Sequence, residues 1–167
     1  MEKNQILELQ IEDLGTEGEG IGKADGYTVF IPGALPGEKV RALLVKAKKN
    51  YGYGKLLEIL EPSSDRTEPL CPAAARCGGC QLQHMRYEGQ LRYKQKKVQD
   101  CMERIGGFRD VVVQPVLGME EPFHYRNKAQ FPVGKGKDGI EMGFYAKHSH
   151  RIVKQDHCLL QHPVNQQ

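Results

Sequence analysis

Apolar positions along the first sixty or so residues come in short runs separated by turn residues. Residues 6–11, 27–31, 40–45 and 56–60 each read as a strand, and Ile21, set inside the glycine run from Gly15 to Gly22, marks a fifth. Short runs rich in branched and aromatic side chains and bounded by Gly and Pro predict strands. The links between them leave no room for crossover helices. The sheet is therefore expected to be antiparallel, and so small a unit must curl into an OB-like barrel to bury itself. Residues 32–37, Pro-Gly-Ala-Leu-Pro-Gly, connect two of these strands, because Pro cannot serve in a central strand and Gly admits tight turns. The glycine run itself has the look of a phosphate-cradling loop but not its context. No helical pattern follows it, so its glycines are expected at bulges and turns. The first unit is drawn at residues 1–62 and a second at 63–167.

Beyond the barrel the periodicity changes. Tyr87, Leu91, Val98, Met102 and Ile105 recur near helical spacing and Gly106-Gly107 supplies a stop, which predicts one helix of about five turns with Cys101 as a core thiol on its apolar side. Residues 111–113 with 116–117, 128–133, 140–146 and 151–153 then read as strands of a second antiparallel sheet, with a hairpin at residues 135–139. Ile140, Met142, Phe144 and Ala146 alternate with Glu141, Gly143, Tyr145 and Lys147, so the first set is expected in a core and the second in water. The predicted fold class is mainly β with α+β: a five-stranded OB-like barrel, then a small α+β domain with an antiparallel sheet and one long helix.

Composition adds a class. The 39% apolar and 27% charged residues are those of a soluble globular protein, and nothing approaches the roughly 18 consecutive apolar residues of a membrane span. The polar start lacks the order of a secretory signal, so a cytoplasmic protein without a membrane partner is expected. The net charge of +3 is unevenly spread: residues 1–66 hold 9 Lys and Arg against 11 Asp and Glu, residues 67–167 hold 15 against 10. The second half is thus the one suited to a polyanion, although a solvated surface accounts for so modest an excess nearly as well. In the barrel, Lys46, Lys48, Lys49 and Lys55 interleave with Tyr51 and Tyr53. Cations for phosphates beside rings for bases are what a small barrel uses on single-stranded nucleic acid, and a solvated hairpin is the competing reading. In the second unit, Arg126, Lys128, Gln130, Lys147 and Arg151 form a further set suited to phosphate and base-edge contacts. His148-Ser149-His150 is read as a turn rather than a metal site.

The cysteines carry the strongest signal. Cys71, Cys77 and Cys80 stand in a C-x5-C-x2-C array, and intracellular thiols so closely spaced favour metal ligation over disulfides. Soft thiolates suit iron-sulfur clusters or zinc, and Gly78 and Gly79 let the backbone wrap closely and aim amide hydrogens at sulfur. A fourth ligand must come from elsewhere: Cys158 in an irregular stretch, or Cys101 within the helix. Zinc, held by four cysteines or by three with His157 or His162, is the rival to a cluster, although the paired short spacings of zinc ribbons are absent.

Two stretches resemble known families. Residues 15–22, Gly-Thr-Glu-Gly-Glu-Gly-Ile-Gly, with residues 29–38 resemble the TRAM domain, an RNA-binding OB-like barrel. Cys71 to Cys80 with Gln81-Leu82-Gln83-His84, the Phe123-His124-Tyr125-Arg126-Asn127-Lys128 stretch and the His157-Cys158 pair are similar, in that order, to the 23S ribosomal RNA uracil-5-methyltransferases. The resemblance implies a 4Fe-4S cluster on Cys71, Cys77, Cys80 and Cys158, with an architectural role, and makes Arg126 the position nearest the nucleotide. It implies ribosomal RNA as partner, S-adenosylmethionine as methyl donor in the parent enzyme, and 5-methyluridine as product. Relatives acting on transfer RNA share the Arg-Asn-Lys stretch but are expected to lack the barrel and the cysteine array. Radical methylthiotransferases pair a TRAM unit with C-x3-C-x2-C, which is absent here. No methyl-donor site, nucleophilic cysteine or base is identifiable, so the chain is expected to bind RNA as a monomer without methylating it. A stand-alone RNA-binding protein with a structural or redox-sensing metal site is the alternative.

Overall fold

The computed structural model describes residues 1–136 and 139–166, which fall into two compact units: residues 1–68 with 84–93, and residues 69–83 with 94 onward. The predicted hairpin tip at Lys137 and Asp138 lies outside the described residues.

In the first unit, β1 (Ile6–Leu14), β2 (Glu19–Ala24), β3 (Tyr27–Pro32), β4 (Lys39–Ala47) and β5 (Tyr51–Glu61) close a barrel in the order β1-β2-β3-β5-β4. The five strands and the closure agree with the sequence pattern. The all-antiparallel expectation needs one correction: β3 and β5 pair in parallel, Thr28 against Tyr51 and Phe30 against Tyr53. A closed ring with an odd number of strands cannot alternate direction throughout, so one parallel pair is required. Alternation along each strand sends Leu9, Ile11, Ile31 and Leu44 inward, each no more than 2% exposed. Burying such a side chain contributes about 2 kcal/mol. The glycine run holds no phosphate cradle. A Cβ on Gly20 would stand 2.9 Å from the Ala34 carbonyl oxygen and one on Gly22 2.9 Å from that of Gln10, so both glycines admit a close backbone approach inside the barrel.

The segment leaving the barrel is tied to the start of α1 (Tyr87–Asp100) within the same unit. Thr67 N–H donates to the His84 carbonyl at 3.0 Å and Arg86 N–H to that of Asp65 at 2.7 Å. Tyr93 then donates its hydroxyl to the Gly15 carbonyl at 2.7 Å.

The helix is shorter than its periodicity suggested. After Asp100 it widens into a π-helical turn, Cys101–Ile105, closed by Gly106 N–H donating to the Cys101 carbonyl. Cys101 is exposed rather than in a core, and Val98 and Ile105 are 50% and 84% exposed. Tyr87, Leu91 and Met102 of the same stripe are half-buried. Residues 111–117 form no strand either. The Gln99 carboxamide donates to the Val111 carbonyl at 2.9 Å and accepts from Val113 N–H at 3.1 Å, so side-chain amides satisfy the backbone that a sheet partner would have held.

The second sheet is smaller than expected: β6 (Val133–Gly136), β7 (Gly139–Tyr145) and β8 (Ile152–Lys154), antiparallel in that order. Residues 128–132 are irregular, against the predicted strand. Its alternation fails at one end. Ile140 and Met142 are 82% and 50% exposed. The other end carries the unit's core of Cys71, Ala73, Cys77, Ala146 and Val153, with Phe144 and Leu159 against it. Among the described residues no helix is long and apolar enough to cross a membrane.

Candidate functional site

Four cysteine side chains from distant parts of the sequence line one pocket in the second unit. Cys71, Cys77, Cys80 and Cys158 surround it with Gln83, Arg126, Phe144, Gln155 and Leu159, and the space, open mouth included, is about 330 Å³. Local structure explains the convergence. The cysteine loop adds onto the end of β7, where Cys77 bridges Ala146 and Gly78 N–H donates to the Tyr145 carbonyl at 2.9 Å. A Cβ on Gly78 would meet that same carbonyl oxygen at 2.8 Å, so the close approach needs a glycine. The Cys158 stretch is held from the other side. His124 and Arg126 donate their N–H groups to the Leu159 and Leu160 carbonyls, each at 2.8 Å.

Polar hydrogens point at the sulfurs. Gly79 N–H donates to Cys77 Sγ at 3.3 Å, Gln83 Nε2 to Cys80 Sγ at 3.2 Å and Gln155 Nε2 to Cys71 Sγ at 3.0 Å. Burial pushes the Cys80 thiol up against the Gln83 hydrogen bond that favours its thiolate, and Cys77, Cys158 and Cys71 push it further in the same direction. Among the described residues, none of the five cysteines is in a disulfide, and no three His, Cys, Asp or Glu side chains are arranged to hold a metal ion. The donor set itself, four soft sulfurs, three of them with amide hydrogens turned toward them, suits a thiolate-bound iron-sulfur cluster. Cys101, His157 and His162 are exposed and do not line the pocket, and His148 and His150 lie in a turn as expected.

On the barrel, register assembles the second candidate. Ile21 pairs with Phe30, Phe30 with Tyr53 and Tyr53 with Lys46, which aligns these four residues across β2, β3, β5 and β4. The rings of Phe30, Tyr51 and Tyr53 stand with centroids 5.6 to 5.9 Å apart, and Lys48 Nζ lies 5.1 Å from the Tyr51 ring centre. Lys48 also donates to the Tyr51 hydroxyl at 3.0 Å, which raises the lysine's pKa and lowers the tyrosine's. Tyr27 steadies the turn by donating its hydroxyl to the Lys48 carbonyl at 2.8 Å and accepting from Lys48 N–H at 3.1 Å.

Lys46, Tyr51 and Tyr53 are thus brought together on strands, with Lys48 and Lys49 exposed in the turn between β4 and β5. Phe30 was missed from the sequence, although the inward Val29 and Ile31 on either side already place it on the outer face. The remaining expected residues belong to the second unit. Arg126 lines the cysteine pocket, Lys128 and Gln130 are exposed on irregular backbone, and Lys147 and Arg151 flank the turn between β7 and β8.

Residues 1–57 match the TRAM domain family. A Halalkalibacterium halodurans protein named as an uncharacterized RNA methyltransferase is 55% identical over 98% of this chain, which spans 36% of that relative. A Clostridium tetani protein of the same name is 50% identical over 96% of the chain and 35% of its own length. The chain therefore spans about a third of the length of these curated relatives. Among solved structures, the Pyrococcus abyssi tRNA (uracil-54, C5)-methyltransferase in complex with S-adenosyl-L-homocysteine matches 95% of this chain and 34% of its own, with 26% identity and a TM-score of 0.62. The first 57 residues are thus similar to the TRAM domain family, and nearly the whole chain is similar to part of bacterial proteins named as RNA methyltransferases.

Proposed function

We propose that this chain is the RNA-recognition portion of an S-adenosylmethionine-dependent uracil-5-methyltransferase of 23S ribosomal RNA, whose product is 5-methyluridine. Methyl transfer belongs to a part of the protein outside these residues. The observation that carries RNA recognition is the outer face of the TRAM barrel, where Phe30, Tyr51 and Tyr53 stand beside Lys46 and Lys48. Rings that stack bases next to cations that meet phosphates suit an unpaired RNA strand. Arg126, Lys128, Gln130, Lys147 and Arg151 add phosphate and base-edge contacts on the second unit.

Cys71, Cys77, Cys80 and Cys158 would hold a 4Fe-4S cluster, which when bound cross-links two distant stretches of chain. Their convergence on one pocket supports a four-thiolate site over a mixed zinc site, since His157 and His162 do not line it. The residues themselves position the backbone: the Cys158 stretch is hydrogen-bonded to the one that carries Arg126, so bracing one fixes the other.

One observation favours a second reading, transfer RNA as substrate. The archaeal enzyme that matches 95% of the chain acts on tRNA, and its match extends across the barrel. The barrel therefore does not separate the two substrate classes, contrary to the expectation from sequence. Binding titrations of the chain with fragments of 23S ribosomal RNA and with unmodified transfer RNA decide between them. Preference for a ribosomal fragment, weakened in Arg126→Ala and Lys128→Ala, is the expected result. Preference for transfer RNA selects the second reading, and equal, weak binding to both overturns RNA recognition by this chain.

A further inference from the structure

The carboxamides of Gln83 and Gln155 form a directed network with the cysteines. Gln155 Nε2 donates to Cys71 Sγ at 3.0 Å. Cys71 N–H donates in turn to Gln83 Oε1 at 3.3 Å, and Gln83 Nε2 donates to Cys80 Sγ at 3.2 Å. Contacts at both ends of the Gln83 amide fix which way it faces, so its hydrogens and not its oxygen point at sulfur. Both glutamines are half-buried, and both line the same pocket as the four thiols. Arg126 is the charged side chain among the residues lining that pocket.

Neither glutamine is a ligand type for iron or zinc in such a site, and a side-chain amide is a costly group to desolvate unless its hydrogen bonds are made. What these amides supply is N–H donation to sulfur. A thiolate that accepts a hydrogen bond gives up some electron density, which stabilises the reduced form of a metal centre bound to it and slows its loss to competing ligands. We infer that Gln83 and Gln155 are positioning residues for the four-thiolate site, setting the reduction potential and the retention of the cluster that Cys71, Cys77, Cys80 and Cys158 would hold. This inference rests on the cluster reading given above. It assigns to two residues outside the C-x5-C-x2-C array a task that the ligands cannot perform for themselves.

The test uses the intact chain purified anaerobically, with iron and sulfide content, visible absorbance, midpoint potential and rate of bleaching by an iron chelator as readouts. Gln155→Leu removes one donor. Gln83→Glu keeps the shape but sets a carboxylate against Cys80, and serves where Gln83→Leu fails to fold. Expected are cluster-containing variants with midpoint potentials below that of the parent and chelator bleaching roughly tenfold faster, the lower end of what loss of an outer-shell partner costs a metal site. Gln155→Asn, tested beside them, is expected to restore part of the potential. Variants with the parent's potential and bleaching rate overturn the positioning role while leaving the cluster reading intact. A parent chain that carries no iron or sulfide when prepared without oxygen overturns the cluster reading and this inference with it.

Discussion

Arg66 grips the Glu38 carboxylate at two points, with Nη2 2.8 Å from Oε2 and Nε closing on Oε1, and so fastens the segment that leaves the barrel to the loop between β3 and β4. Glu38 is fully buried, and its oxygens also accept from Leu35 N–H at 2.9 Å and Ser63 N–H at 3.3 Å. Arg66 reaches past it to the Gly33 carbonyl at 2.7 Å. One buried carboxylate thereby organises the Pro-Gly-Ala-Leu-Pro-Gly loop that the sequence marks only as a turn.

Removing one partner leaves the other buried and uncompensated, which costs about 3 kcal/mol, the low end for a buried pair because the Arg66 side chain is 22% exposed. Glu38→Gln and Arg66→Ala should each lower the free energy of unfolding of the first unit by about that amount in urea titrations followed by circular dichroism. The double variant should cost less than the sum, since the two act on one interaction. Additive losses would show that the two residues stabilise the barrel separately.

The same site sets a pH dependence. Burial alone would raise the Glu38 pKa, but the hydrogen bonds from Arg66, Leu35 and Ser63 and the guanidinium charge outweigh it and hold the pKa below the ordinary 4.5. A carboxylate whose pKa is depressed on folding gives stability that is complete above the unfolded value and is lost as pH falls through the folded one. The parent should therefore lose stability to urea as pH drops below 4.5, whereas Glu38→Gln, less stable at neutral pH, should show a flatter profile over the same window. Parallel profiles would assign the acid lability to other carboxylates.

On the barrel face, aromatic and cationic residues should fail in different ways. Phe30→Ala and Tyr53→Ala remove surfaces for bases, worth about 1–3 kcal/mol per stacked base, so RNA affinity should fall roughly tenfold with little change in its salt dependence. Lys46→Ala removes a phosphate contact and should reduce the slope of log affinity against log salt by roughly 0.7. Fluorescence anisotropy with a short unpaired RNA at several salt concentrations separates the two. A barrel that binds RNA equally well without Phe30 and Tyr53 would move the interface elsewhere.

How much of this was readable in advance follows the range of the interactions. Leu7, Leu9 and Ile11 alternate within one strand, and such local periodicity names the barrel strands directly. The parallel β3–β5 pair depends on ring closure, a property of all five strands together, so no single stretch encodes it. Phe30 was legible by alternation, yet its importance arises only when closure sets it beside Tyr51 and Tyr53. In the second unit, apolar pattern misled. Cys101, Ile105, Ile140 and Met142 repeat as core residues do but are exposed, because periodicity shows which side of an element is apolar and not whether anything covers it. Gln155 gave no signal and Gln83 entered only as part of the stretch that carries the resemblance, since a glutamine at a pocket looks like any surface glutamine until the fold brings sulfur to it.

The two candidate fourth cysteines separate most sharply of all. Cys158 lines the pocket with Cys71, Cys77 and Cys80, while Cys101 is exposed in the π-helical turn that follows α1 and is not among the pocket's lining residues. A site built on four thiolates loses a ligand in Cys158→Ser and none in Cys101→Ser. In anaerobically purified protein, Cys101→Ser should keep the parent's iron and sulfide content and visible absorbance, whereas Cys158→Ser should lose most of both. Urea titration supplies the control. If the Cys158 stretch is braced by a bound cluster, the second unit of Cys158→Ser should unfold earlier than the parent while the barrel transition stays in place. Loss of cluster from Cys101→Ser instead would assign the fourth position to the helix and require the π-helical turn to rearrange toward the cysteine loop.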